Sequence, residues 1–192
     1  MRRETQLYLP ALSKRRGFSS SRVEHLLNRL VQVMPSDECY LEVGTLEGRT
    51  LEAAAHANDG KHLIGIDPCA KYESIPEGFQ PNVTFIQARW QDFIKVELAM
   101  PVGLCFYDGD HSAEETKGFM CSVVDNLADE AVLVLDDWDR MSVREGAFAA
   151  DDFPSEGEWR LLREMPSYGD GLTCPQDHFG YSFGVAVWGF RR

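Results

Sequence analysis

The chain has 192 residues, 44% of them apolar and 26% charged, a composition that supports one domain with a full core and does not resemble a disordered chain. Its net charge of −12 argues against a general nucleic-acid binder, and no stretch approaches the ~20 apolar residues of a membrane span. The opening MRRETQLYLP has basic residues but no apolar run behind them, so no secretory signal is expected. Cys39, Cys69, Cys105, Cys121 and Cys174 are odd in number, scattered and free of any CxxC pair. Reduced thiols in a cytoplasm are therefore expected, rather than a zinc site or a disulfide framework.

Residues 1–30 carry seven Lys/Arg against two Glu, which reads as a solvated arm, with a lid or partner contact as the alternative. Ser21-Arg22-Val23-Glu24 fits a capping box, and Val23, Leu26, Leu27, Leu30 and Val31 follow at helical spacing until Pro35. The first strand, Tyr40 to Val43, runs into a glycine turn, and residues 48–58 predict an Ala-rich helix. His62 to Ile66 is a second strand, closing on Asp67-Pro68; residues 70–81 are loop-like. Val83 to Gln87 is a third strand, followed by a short helix around Gln91 to Leu98, and Val102 to Tyr107 is a fourth. Ser112-Ala113-Glu114-Glu115 is a second capping box, opening a helix whose apolar face is Phe119, Met120, Val123, Val124 and Leu127. Ala131 to Leu135 is a fifth strand. A helix over about 142–150 and strands near Glu158–Leu162 and Gly184–Phe190 complete the chain.

Strands alternating with helices predict an α/β fold: a doubly wound, mostly parallel sheet with helices on both faces, in one domain spanning 1–192 with an N-terminal helical segment over about 1–35. Ligands of such sheets sit beyond the carboxyl ends of the strands. Glu42, Asp67, Asp108 and the Asp136-Asp137 pair all fall there, and acids gathered at one rim repel each other unless something cationic lies between them.

The first turn reads Leu41-Glu42-Val43-Gly44-Thr45-Leu46-Glu47-Gly48-Arg49-Thr50. Its GxxxG spacing is not the dinucleotide fingerprint GxGxxG. Gly44 permits close approach of backbone to a ligand, and a carboxylate at the end of the next strand, Asp67, can accept both hydroxyls of a ribose. On E-x-G-x-x-x-G followed by a strand-end Asp, the sequence resembles the class I S-adenosylmethionine-dependent methyltransferases over roughly residues 36–190. The resemblance implies a Rossmann-like, seven-stranded sheet with its last strand antiparallel. It also implies a cofactor site of Glu42 near the methionine amino group, Gly44, Thr45 and Gly48 around the pocket, Thr50 at the methionine carboxylate and Asp67 at the ribose. After the third strand, Gln87-Ala88-Arg89-Trp90 lacks the acid or amide often found near the adenine. Arg89 and Trp90 are the candidates there, Trp90 either stacking on the base or belonging to the core.

Two apolar strands end in acid, at Tyr107-Asp108-Gly109-Asp110-His111 and at Leu135-Asp136-Asp137-Trp138-Asp139. Three carboxylates suit a hard divalent cation such as Mg²⁺. An EF-hand loop starting at Asp108 fails, because Ala113 and Phe119 stand where glycine and a bidentate Glu are required. YDGDHS and VLDDWD resemble the metal-dependent, macrocin-type O-methyltransferases of sugars and small molecules, distant kin of the catechol O-methyltransferases. That resemblance implies Asp108, Asp136 and Asp137 as metal ligands, with Asp108 also beside the cofactor, and His111 or Asp110 as the base. The implied reaction moves a methyl group from S-adenosylmethionine to a hydroxyl of a small molecule (a sugar, a phenol or a natural product). Alternatives are a fold relative with other chemistry, as in a hydroxylase branch, and a catalytically silent cofactor or metal binder serving as a partner subunit. Asp139 and Asp151-Asp152 read as solvated surface, and Cys105 and Cys121 as core. Trp138, Trp159 and Tyr168 line an acceptor pocket or belong to the core. The chain is short for the antibiotic-tailoring members, so an open site, or one completed in a homo-oligomer, is expected.

Overall fold

The computed structural model describes residues 10–15, 17, 19–68, 80–95, 98–151, 157–165 and 184–192. Seven strands form one sheet: β1 (Cys39–Val43), β2 (His62–Ile66), β3 (Val83–Ile86), β4 (Val102–Tyr107), β5 (Leu127–Asp136), β6 (Glu158–Met165) and β7 (Val185–Arg191). Their spatial order is β3-β2-β1-β4-β5-β7-β6. The first five run parallel, and β7 lies antiparallel between β5 and β6. This is the Rossmann-like sheet expected from the sequence, including the antiparallel last strand. The central strands β1 and β4 are buried at every position, which is why they read as unbroken apolar runs: helices cover both faces.

Side chains alternate across the sheet and build two cores. Leu41, Val43, Cys105, Tyr107, Leu133 and Leu135 pack with Phe119 and Met120 of α4 (Ala113–Val123) and Val143 and Ala147 of α5 (Met141–Asp151). On the other face Tyr40, Leu63, Leu104 and Phe106 pack with Val23, Leu27 and Val31 of α1 (Ser21–Val33) and Leu51 of α2 (Arg49–Ala55). Gly146 is required where α5 crosses α4, since a Cβ there would stand 2.5 Å from the Ala113 carbonyl oxygen.

Both helix starts depart from the expected capping boxes. α1 is capped by Ser20, whose hydroxyl accepts from the Val23 amide, one residue before the expected Ser21. Glu24 does not reach back to the cap. It is fully buried, accepting from Arg49 Nε at 2.7 Å and from the Leu12 amide at 2.6 Å, because a buried carboxylate needs a cation and donors more than a cap does. At α4, Ser112 caps as expected, but Glu115 accepts from Trp90 Nε1 and Gln91 Nε2 instead. The helix after β3 is a single turn, α3 (Trp90–Phe93).

The basic N-terminal stretch is not simply a solvated arm where it is described. Ser13 Oγ and the Lys14 amide donate to Glu52, and Arg15 Nε pairs with Glu52 at 3.1 Å, so residues 12–15 lie across α1 and α2. Trp138 is sealed in the core and donates to Glu164, Trp159 packs on Phe190, and Tyr168 lies outside the described residues. Cys39 and Cys105 are buried free thiols and Cys121 is half-buried; Cys69 and Cys174 lie outside the described residues. Asp139 and Asp151 are exposed as expected. Among the described residues, no helix is long and apolar enough to cross a membrane.

Candidate active site

The strand order reverses at β1, whose neighbours are β2 and β4. The loops leaving their carboxyl ends diverge and leave a crevice there. Gly44 begins the β1 loop at φ 88°, and a Cβ on it would stand 1.9 Å from the Asp108 carbonyl oxygen. The Asp108 amide in turn donates to the Val43 carbonyl at 2.9 Å. Glycine at this position is what lets the β1 and β4 loops touch. Gly48, at φ 81°, caps α2 in the left-handed region, and Leu46 between them is also left-handed, at φ 49°. That conformation is strained for leucine. It aims the Leu46 amide at Asp67 Oδ2, 2.8 Å away, and so ties the loop to the end of β2.

Glu42 shares the face of Tyr40, two residues earlier on β1. Its carboxylate is fully buried, accepting from Tyr40 Oη at 2.6 Å and from Thr50 Oγ1 at 2.8 Å. Burial pushes its pKa up to about 7, against the pull of the Tyr40 and Thr50 hydrogen bonds. The Thr45 hydroxyl donates to the Glu42 carbonyl. Arg89 precedes α3 and is exposed; Trp90 is half-buried, edge-on to Phe119.

The two acid-tipped strands lie side by side, Tyr107 of β4 level with Leu135 of β5, and their ends converge. His111 Nε2 stands 3.4 Å from Asp108 Oδ1 and 3.2 Å from Asp137 Oδ2. Arg140 Nε is 2.7 Å from the same Asp137 oxygen. Asp136 is buried, and its Oδ1 has no hydrogen-bond partner. Burial first, and then the charges of Asp108 and Asp137, push the Asp136 carboxyl well above the usual range. Burial likewise raises Asp108, opposed by His111. The Asp108 hydrogen bond raises His111, burial opposing it. Asp110 stands apart: it is exposed, accepts from the Ser112 amide at 2.8 Å, and is held below the usual carboxylate range by the Ser112 side chain first and by that amide second.

As they stand, no three His, Cys, Asp or Glu side chains among the described residues meet at one point as a metal site. Their chemistry nonetheless fits a hard cation: three carboxylates, one with a buried oxygen that nothing satisfies. Arg140 and Tyr40 were not expected at the site. Tyr40 could have been found, because position i−2 on a strand shares the face of Glu42. No spacing signal marks Arg140, which turns back onto Asp137 through the tight turn after β5.

A methyltransferase-domain family matches residues 41–138, the stretch that holds β1, the glycine turn and both acid clusters. The chain belongs to this family. This methyltransferase has the class I fold and uses S-adenosylmethionine as its methyl donor. No curated protein gives a match. Among solved structures it is similar to a Bacillus cereus O-methyltransferase in complex with S-adenosylhomocysteine, at 15% identity over 96% of this chain and 84% of that one, with a TM-score of 0.67. TomG, an O-methyltransferase of Streptomyces achromogenes involved in tomaymycin synthesis and solved with S-adenosylmethionine, gives 17% identity over 90% and 81%, with a TM-score of 0.64. The S-adenosylhomocysteine-bound methyltransferase PaMTH1 of Podospora anserina gives 12% over 89% and 76%, at 0.60. At these identities the likeness is one of fold.

Proposed function

We propose that this methyltransferase acts on a hydroxyl of a small molecule and does so with a hard divalent cation, Mg²⁺ for preference, held by Asp108, Asp136 and Asp137. The observation that carries the reading is the buried, unpartnered Asp136 oxygen beside two further carboxylates at the rim next to the glycine turn. The O-methyltransferases among the similar folds support it.

Gly44, Thr45, Gly48 and Thr50 form the methionine end of the cofactor site and Asp67 the ribose end, with Asp108 beside both. Arg89 and Trp90 stand on the adenine side. Glu42 has no exposed surface with which to meet the methionine amino group, so it serves this site from behind Thr50. When bound, the cation supplies Lewis acidity toward an acceptor hydroxyl. His111 takes the hydroxyl proton, and Asp108 and Asp137, whose oxygens face Nε2, stabilise the imidazolium that forms. Ser142 Oγ donates to the His111 carbonyl at 2.6 Å and fixes the loop. Asp110 is the weaker candidate for the base, being turned to the start of α4. Crevice walls that hold an acceptor hydroxyl beside the methyl donor would supply much of the acceleration through positioning alone.

The test is methyl transfer from labelled S-adenosylmethionine to a panel of hydroxylated acceptors. Activity should vanish with EDTA and return with Mg²⁺, and His111→Ala should lose a factor of about 10²–10⁴. Full activity in EDTA would refute the metal. A His111→Ala rate within a few-fold of the parent, with loss in Asp110→Asn, would move the base to Asp110.

A further inference from the structure

Tyr40, Glu42 and Thr50 form a chain of two hydroxyls and one carboxyl that leads from the core to the cofactor turn. Tyr40 is fully buried among apolar side chains, Glu42 is fully buried between the two hydroxyls, and only Thr50, at 7% exposure, keeps any surface. Hydrogen counting gives this chain two arrangements. When Glu42 is ionised it can only accept, so both hydroxyls spend their hydrogens on it, and Thr50 has none left to give. When Glu42 carries a proton, Tyr40 still donates to Oε2, because its hydroxyl has no exposed side to turn to. The Glu42 proton then sits on Oε1 and is donated to Thr50 Oγ1, and the Thr50 hydrogen is free to point away from Glu42.

We infer that Tyr40 and Glu42 are positioning residues that set the hydrogen-bond polarity of Thr50, which donates to the cofactor's carboxylate only when Glu42 is protonated. The inference rests on the proposed cofactor site and deepens it: Glu42 acts through Thr50 rather than by touching the ligand. The groups facing Glu42 are Tyr40 and Thr45 on its own segment, Thr50 from α2 and Asp108 from the end of β4. Asp108 opposes ionisation, and the three hydroxyls favour it. Burial outweighs them and leaves Glu42 near pKa 7, so both arrangements are accessible around neutral pH. Binding should therefore draw a proton from the buffer above neutral pH, whereas direct contact of Glu42 with the cofactor ammonium would release one.

The experiment is calorimetry of S-adenosylhomocysteine binding to the full chain across pH 6 to pH 8, in two buffers of different ionisation enthalpy. Affinity should fall by roughly tenfold over that range, with proton uptake at the upper end. Glu42→Gln, whose amide donates and accepts as the protonated acid does, should abolish the pH dependence. Thr50→Val should weaken binding at pH 6 by about tenfold, and Thr50→Ser should restore it. Tyr40→Phe should move the midpoint of the pH dependence upward, since the ion loses a donor. A flat affinity, proton release, or a Tyr40→Phe midpoint unmoved overturns the inference. The cofactor site itself is tested separately by Asp67→Ala: if that variant binds as well as the parent, the site reading fails, whatever Tyr40 and Glu42 do.

Discussion

Gly44 is the residue on which the crevice depends. Its φ of 88° is one that an L side chain rarely adopts, and the Asp108 carbonyl occupies the space a Cβ would need. Gly44→Ala must either force the β1 and β4 loops apart or move the turn into another conformation. The left-handed backbone alone costs roughly 1–2 kcal/mol, and the overlap adds to it. The variant should melt several degrees lower and bind S-adenosylhomocysteine at least tenfold more weakly, with the two losses read by thermal unfolding and calorimetry. Gly60, whose added Cβ would meet nothing, is the control: Gly60→Ala should leave cofactor binding intact. Leu46 shows the reverse economy, a strained non-glycine residue kept because its amide anchors Asp67.

Among the elements, α2 is short and sits directly under the glycine turn, so what holds it decides where the turn lies. Arg49, its first residue, is gripped by Glu24 of α1, and Glu52 one turn on is gripped by Ser13 and Arg15. Gly17 packs against Arg49 Cβ. The described part of the N-terminal stretch, residues 12–15 and 17, is thus a brace for α2 and the glycine turn above it. Glu24→Ala strips the partner from a mostly buried guanidinium and should cost about 3–5 kcal/mol in urea unfolding. Glu52→Ala, a more exposed pair, should cost under about 1 kcal/mol. Equal losses in the two variants would mean that Arg49 finds another partner and that the brace is not specific to Glu24.

For the whole molecule, the buried acids fix the sense of its pH dependence. Glu42 is raised to about 7 from an ordinary value of 4.5, and Asp136 and Asp108 are raised as well. Between those limits the folded chain holds more protons than the unfolded one, so stability is greatest on the acid side and declines as pH rises through about 7. Melting temperature measured against pH should fall over that window. Glu42→Gln should flatten the part of the slope that Glu42 contributes. Mg²⁺ should raise the melting temperature most at the alkaline end, because a ligand that binds only the folded state stabilises it. A protein equally stable across the window would show that these carboxyls are hydrated in solution.

Most of this architecture was written in the chain. The apolar runs of β1, β4 and β5, the 3.6-residue periodicity of α1 and α4, and Gly44 and Gly48 at the turn are local patterns, and local patterns dictate alternation of strand and helix and the placing of acids at strand ends. The family resemblance added the antiparallel last strand and the identity of the cofactor. What the sequence left open was every choice made across space. Glu24 stands three residues after Ser21 as in a capping box, yet Ser20 caps the helix and Glu24 turns inward to Arg49, 25 residues away, because a buried carboxylate needs a cation beside it. Glu115 likewise serves Trp90. The sealing of Glu42 by Tyr40 and Thr50, and the return of Arg140 onto Asp137, depend on which elements lie together in the sheet and on how its loops close. Only tertiary packing sets the distances and the dielectric that decide which donor a buried carboxylate finds.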